Sequence, residues 1–181
     1  MAAHQRRAAN TRAWIVFLDE LGVSLLPQIR RTYARRGRTP LLRHRLNWKR
    51  ASMAGALGYH STDPDRGARL CFHLKPGSYD TVGLIEVLEQ VKVFYRGERV
   101  VLVRDGLSAN WSRAMRAGVA AQDWLTLERL PAYAPELNPV ELLWSSLKKR
   151  ELANLAGDRL SNFADATEQG IHRIDANPRL P

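Results

Sequence analysis

AWIVFLDE (residues 13–20) is a short apolar run that stops abruptly at two acids, Asp19 and Glu20. A run of this length and composition reads as a buried strand emerging at its C-terminal end, with Asp19 at the tip. RVVLVRD (99–105) repeats the pattern: a brief, β-branched apolar strand with Asp105 directly after it. Two carboxylates are thereby predicted on one edge of a sheet.

Between these strands, SMAGALGYH (52–60) and ARLCFHLK (68–75) are strand-length and are separated by the turn-rich TDPDRG, which predicts an antiparallel hairpin. A helix follows. Asp80 suits its N-cap, Leu84, Leu88, Val91 and Tyr95 recur at helical spacing, and Gly97 suits its C-terminal end. After Asp105, residues 108–122 predict a helix with Trp111, Met115 and Val119 on one face, and WLTLERL (124–130) alternates like a third core strand. The order strand, hairpin, helix, strand, helix, strand, helix predicts an α/β architecture. Its mixed sheet is flanked by helices, and its sites lie beyond the C-terminal strand ends.

With 181 residues, 45% of them hydrophobic and 25% charged, the chain has the composition of one ordinary globular domain. Apolar stretches such as VGLIEVL (82–88) are broken by charge long before the roughly 18 residues a membrane helix needs, and MAAHQRRAANTR (1–12) lacks the apolar core of a secretory signal. The expectation is therefore a soluble, intracellular protein with no membrane partner. The one cysteine, Cys71, reads as a buried reduced thiol in a strand. Histidines 4, 44, 60, 73 and 172 have no ligand spacing, so any metal should be oxygen-bound.

The net charge of +10 is uneven. Residues 1–50 carry 12 of the 28 Lys and Arg against two of the 18 acids, which leaves 16 of each sign in the remainder. From Gly22 to Arg50 periodicity is lost and arginines gather in RRTYARRGRTP (30–40), predicting a long basic excursion. A basic segment on a neutral body points to a polyanion such as nucleic acid, with solvated surface arginines as the alternative.

In LPAYAPELNPVELLWSSLKKREL (130–152) a proline-punctuated turn opens into a helix, with Asn138 as N-cap, Pro139 at the first position and Glu141 at the third. Asn138 and Glu141 alone would read as a capping box. Joined to Asp19 and Asp105, Glu141 reaches the same rim of the sheet. Two carboxylates about 4 Å apart repel by roughly 4 kcal/mol at an effective dielectric near 20, so three gathered acids point to a divalent ion that removes the repulsion. Glu20 and Glu136 are possible substitutes. Glu20 should point away from Asp19 in an extended strand, and Glu136 precedes the helix. Leu143, Trp144 and Leu147 read as core, and Lys148, Lys149 and Arg150 as either a solvated face or phosphate contacts.

FLDE, VRDGLSAN and AYAPELNPVELLWSSLK, in this order, resemble the three catalytic motifs of DDE transposases in the mariner-like superfamily. Within it, the likeness is to the bacterial insertion-sequence family called six-thirty. The likeness runs from about Trp14 to His172, with 35 residues between Asp105 and Glu141 close to the family's spacing. It implies a ribonuclease-H-like fold with a five-stranded mixed sheet. It implies Asp19, Asp105 and Glu141 as ligands of two divalent cations, Mg²⁺ or Mn²⁺, and DNA as partner. It further implies hydrolysis at an element's end followed by attack of the freed 3′-hydroxyl on target DNA, in a homodimer assembled on DNA in the bacterial cytoplasm. The basic segment 22–50 matches the insertion that in such relatives reaches DNA and the partner subunit, making Arg30, Arg31, Arg35, Arg36, Arg38 and Lys148 candidate DNA contacts. Residues 14–172 are then the catalytic domain, 1–13 a polar arm and 173–181 a tail. Two positions depart from the pattern: relatives commonly have an apolar or aromatic residue at Arg104 and a histidine at Asn110. Relatives also carry helix-turn-helix modules ahead of the segment that Trp14 begins, and the polar arm holds none. These departures admit a second reading, a DNA-binding remnant that no longer cuts; a third is a standalone structure-selective nuclease with the same metal site.

Overall fold

A computed structural model describes residues 12–24, 29–31, 33–41, 43, 50–105, 113–131, 135–155 and 159–175. In chain order these form β1 (Trp14–Ser24), β2 (Arg50–His60), β3 (Ala68–Pro76), α1 (Thr81–Phe94), β4 (Val100–Arg104), α2 (Arg113–Ala120), β5 (Leu125–Arg129), α3 (Pro139–Lys149) and α4 (Leu160–Asp175). Single 3₁₀ turns stand at Pro64–Arg66 and Pro135–Leu137. The five strands make one sheet in the order β3-β2-β1-β4-β5. β4 is parallel to both β1 and β5. β2 and β3 are neighbours joined by seven residues, a connection short enough only for an antiparallel pair, so the sheet is mixed as expected.

The chain divides into two compact units, Met1–Leu21 with Met53–His73 and Tyr79–Glu141, and Gly22–Ser52 with Leu74–Ser78 and Leu142–Pro181. In the first, strand alternation sorts side chains onto two faces. Trp14, Val16 and Leu18 of β1 and Val100 and Leu102 of β4 join Leu84, Leu88, Val91, Tyr95, Met115 and Val119 in the larger core. Val101 and Val103 pack with Ile15, Phe17 and Leu130 in the smaller. At Gly58 an added methyl would collide with the buried Tyr95 ring and lie 3.2 Å from Val16, so the absence of a side chain there lets the ring seat on the sheet. In the second unit Leu147, Leu152, Phe163 and Ile171 are buried. Gly170 brings α4 against Leu147 and Glu151, and Arg173 pairs with Glu151 at 2.6 Å.

The expected helix ends are present. Asp80 caps α1 by accepting from the Gly83 amide at 2.9 Å, and Gly97 adopts φ 71° just past its end. Cys71 is buried, and burial pushes its thiol up to about 11. Two expectations need correction. β1 does not stop at Glu20: it runs on through Ser24, with Leu21 and Val23 buried in alternation, so Asp19 lies inside the strand and not at its tip. β5 gives Leu125 to the larger core with Leu127 packed against it, but it is the edge strand of the sheet and otherwise mostly half-buried, not a central core strand. Trp111 and Asn110 lie outside the described residues.

Candidate metal centre

Asp19 and Asp105 come together through strand register. β1 and β4 pair in parallel as Trp14 with Val100 through Phe17 with Val103, and the same offset two residues on sets Asp19 opposite Asp105. Neighbouring strands lie about 4.8 Å apart, so the two acids are held on adjacent chains at one height. Asp105, one residue past β4, is exposed, and Asp19 is half-buried.

Alternation sends Glu20 and Arg104 to the other side, in line with Leu18 and Leu102 of the larger core. Arg104 is only 5% exposed, at the end of a strand whose other four residues are all buried and apolar. Its Nη2 lies 3.9 Å from Glu20 Oε1 and 3.9 Å from Asp105 Oδ1, while its Nε donates to the Asp105 carbonyl at 3.2 Å. Burial pushes the guanidinium toward losing its proton, and the carboxylates of Glu20, Asp105 and Asp19 hold it charged. Burial raises Glu20 in turn; Arg104 lowers it, and Asp19 and Asp105 raise it further. Four charged side chains thus feel one another at the end of β4. The acid following Asp19 is therefore paired with Arg104.

Glu141 stands in the first turn of α3. Asn138 caps that helix, its Oδ1 accepting from the Val140 amide at 3.2 Å and its carbonyl from the Glu141 amide at 3.1 Å. The reciprocal half of a capping box is not made: the Glu141 side chain is exposed and has no hydrogen bond or ion pair with any described residue. Among the described residues its carboxylate is uncommitted. Among the described residues no three of His, Cys, Asp and Glu are grouped closely enough to hold an ion, so Asp19, Asp105 and Glu141 do not form such a group here. The donor set still fits a hard divalent ion, being all carboxylate oxygen with two members in register. Glu136 is exposed in the 3₁₀ turn before α3.

Leu143, Trp144 and Leu147 are buried as core, and Lys148 is half-buried beside exposed Lys149 and Arg150. Arg30, Arg31, Arg35, Arg36 and Arg38 are exposed, in a stretch that belongs to no helix or strand. A turn closes from the Arg38 amide to the Arg35 carbonyl at 3.0 Å, and the Arg30 amide is held by Asn154 at 2.8 Å. The Arg104–Glu20 pair is the feature that sequence reading did not find. Its signal was present as a lone arginine closing one apolar run and a second acid ending another.

Residues 14–163 match the DDE superfamily endonucleases, and the chain belongs to that family, a class of phosphoryl-transfer enzyme. Among solved structures it is similar to the Mos1 transposase paired-end complex with left transposon end, at 18% identity and TM-score 0.57, covering 96% of this chain and 58% of that one. A Mos1 mariner paired-end complex with Mn matches at 19% identity and TM-score 0.57, covering 97% and 61%. The catalytic domain of Mos1 mariner transposase matches at 18% and 0.53, covering 97% and 90%. The fold is that of this ribonuclease-H-like catalytic domain, and the chain spans about three-fifths of the length of the longer transposase chains. Among curated proteins none matches.

Proposed function

We propose that this chain is the catalytic domain of a DNA transposase, over residues 14–172, which cuts at the ends of an insertion sequence of the bacterial six-thirty type and joins the freed strand to target DNA. The observation that carries the reading is the register of β1 on β4, which continued two residues past Phe17 and Val103 brings Asp19 level with Asp105, in a chain of the DDE endonuclease family. Asp19, Asp105 and Glu141 would hold two divalent cations, Mg²⁺ or Mn²⁺, which when bound supply Lewis-acid stabilisation of the attacking and leaving oxygens. The protein's own part is to fix two acids on rigid strands and to present the third from the first turn of a helix capped by Asn138. Glu141, whose carboxylate is engaged by no described residue, would complete the ligand set when metal and DNA are bound. No covalent enzyme intermediate is required.

The exposed arginines at 30, 31, 35, 36 and 38, with Lys148, would contact phosphates. In the same segment Ile29, Tyr33 and Leu41 are 83%, 104% and 86% exposed, which suits cover by DNA or by the partner subunit of a homodimer. No helix among the described residues is long and apolar enough to cross a membrane. The test is a strand-nicking and strand-joining assay on intact and pre-nicked element ends with Mg²⁺ or Mn²⁺. Nicking and joining that vanish in Asp105→Ala support the reading. Nicking without joining makes the chain a hydrolytic nuclease. Wild-type chain inert with both metals favours the non-cutting remnant, a reading to which the buried Arg104 beside the acids lends weight.

A further inference from the structure

Arg104 occupies a place where the strand otherwise buries only valine and leucine. A buried guanidinium is unfavourable unless charges and acceptors meet it, and here Glu20, the Asp105 carboxylate and the Asp105 carbonyl do. The contacts join two neighbouring chain segments: Glu20 follows Asp19 on β1, and Asp105 follows Arg104 just past β4. We propose that Arg104 is a positioning residue whose guanidinium serves as the resident counter-cation of the Asp19–Asp105 pair. It neutralises Glu20, offsets the charge of Asp105 before a divalent ion arrives, and opposes the ion's charge. This rests on the reading of Asp19 and Asp105 as metal ligands.

The proposal fixes opposite signs for two substitutions. Arg104→Met removes a positive charge near the ion and tightens its binding. Glu20→Gln removes a negative charge and turns an unbalanced guanidinium on the site, which weakens binding. A unit charge a few ångströms from a divalent ion, at an effective dielectric near 20, changes affinity by roughly tenfold or more. A merely structural role for the pair would weaken binding in both variants.

The experiment is a Mn²⁺ titration of the full chain, following free Mn²⁺ by electron paramagnetic resonance, with far-UV circular dichroism to verify folding. Expected are loss of binding in Asp105→Asn, about tenfold tighter binding in Arg104→Met and about tenfold weaker binding in Glu20→Gln. The double variant should return to within roughly threefold of wild type, because the charges cancel. If Arg104→Met is folded and binds no tighter while Asp105→Asn still loses the ion, the role of Arg104 is overturned and the metal site stands. If Mn²⁺ binds neither wild type nor Arg104→Met, or binds regardless of Asp105, the metal site falls and this inference with it. Should Arg104→Met not fold, Glu20→Gln decides: unchanged or tighter binding overturns the proposal.

Discussion

The register that pairs Phe17 with Val103, continued two residues, sets Asp19 of β1 level with Asp105 just past the end of β4. In the absence of an ion they repel, and both raise the proton affinity of Glu20. Asp105 is exposed, so Asp105→Asn removes repulsion without opening a core. Metal-free thermal stability of Asp105→Asn should stay within about 1 kcal/mol of wild type, because relief of repulsion with Asp19 and loss of the Arg104 contact oppose each other. Nicking with Mg²⁺ or Mn²⁺ should fall by a factor on the order of 10³. Retained nicking in a folded variant would remove Asp105 from the site.

The two polar residues that open α3 should separate cleanly. Asn138 is buried and caps the helix, so Asn138→Ala should cost about 1 kcal/mol in denaturant unfolding. Glu141 contributes no side-chain bond among the described residues, so Glu141→Gln should leave stability within about 0.5 kcal/mol while abolishing nicking. A Glu141→Gln chain as unstable as Asn138→Ala would restore the capping-box role.

Gly58 is where β2 makes room for Tyr95. Tyr95 is fully buried and cannot swing into solvent, and its hydroxyl donates to the Arg69 carbonyl at 3.3 Å. Gly58→Ala should therefore destabilise by about 1–3 kcal/mol in chemical denaturation, as overpacking of a dense core does. Pairing it with Tyr95→Phe should recover part of that loss, because the hydroxyl is the nearest atom to the added methyl.

Alkaline stability should follow the buried acids of the larger core. Burial pushes Cys71 up to about 11 and raises Tyr79 and Tyr95 as well. A group with a raised folded pKa keeps its proton longer in the native state. Its stabilising contribution is complete below the unfolded value, about 8.5 for a thiol, and is lost as pH climbs through the folded one. Unfolding free energy should thus fall between about pH 8.5 and 11, and Cys71→Ala should flatten that fall by roughly 2 kcal/mol. An equal slope in both chains would refute the assignment.

Local patterns carried the strands, the hairpin, the Asp80 and Asn138 caps and the acids after two apolar runs, because each is written within about ten residues. Longer-range relations were not legible. The end of β1 was hidden because Gly22 and Ser24 interrupt apolarity, although Leu21 and Val23 keep the period of two. The half-burial of β5 follows from its place at the sheet edge, which alternation cannot reveal. The pairing of Arg104 with Glu20 needs the register of β1 on β4, a property of neither segment alone.

The basic segment should bind duplex DNA with strong salt dependence and little sequence preference. Arg30, Arg31, Arg35 and Arg36 are exposed, lie in no helix or strand, and so offer charge without a rigid element to read a groove. If four to six arginines of residues 30–50 neutralise phosphates, the log–log slope of affinity against salt should be about −4 to −5. Replacing those four with alanine should flatten the slope by up to about four and weaken all duplexes alike. Fluorescence anisotropy with terminal-repeat and random duplexes across a salt series measures both. A hundredfold preference for the repeat, or a slope unmoved by the four substitutions, would mean that other parts of the chain make the contacts and that some of them read bases.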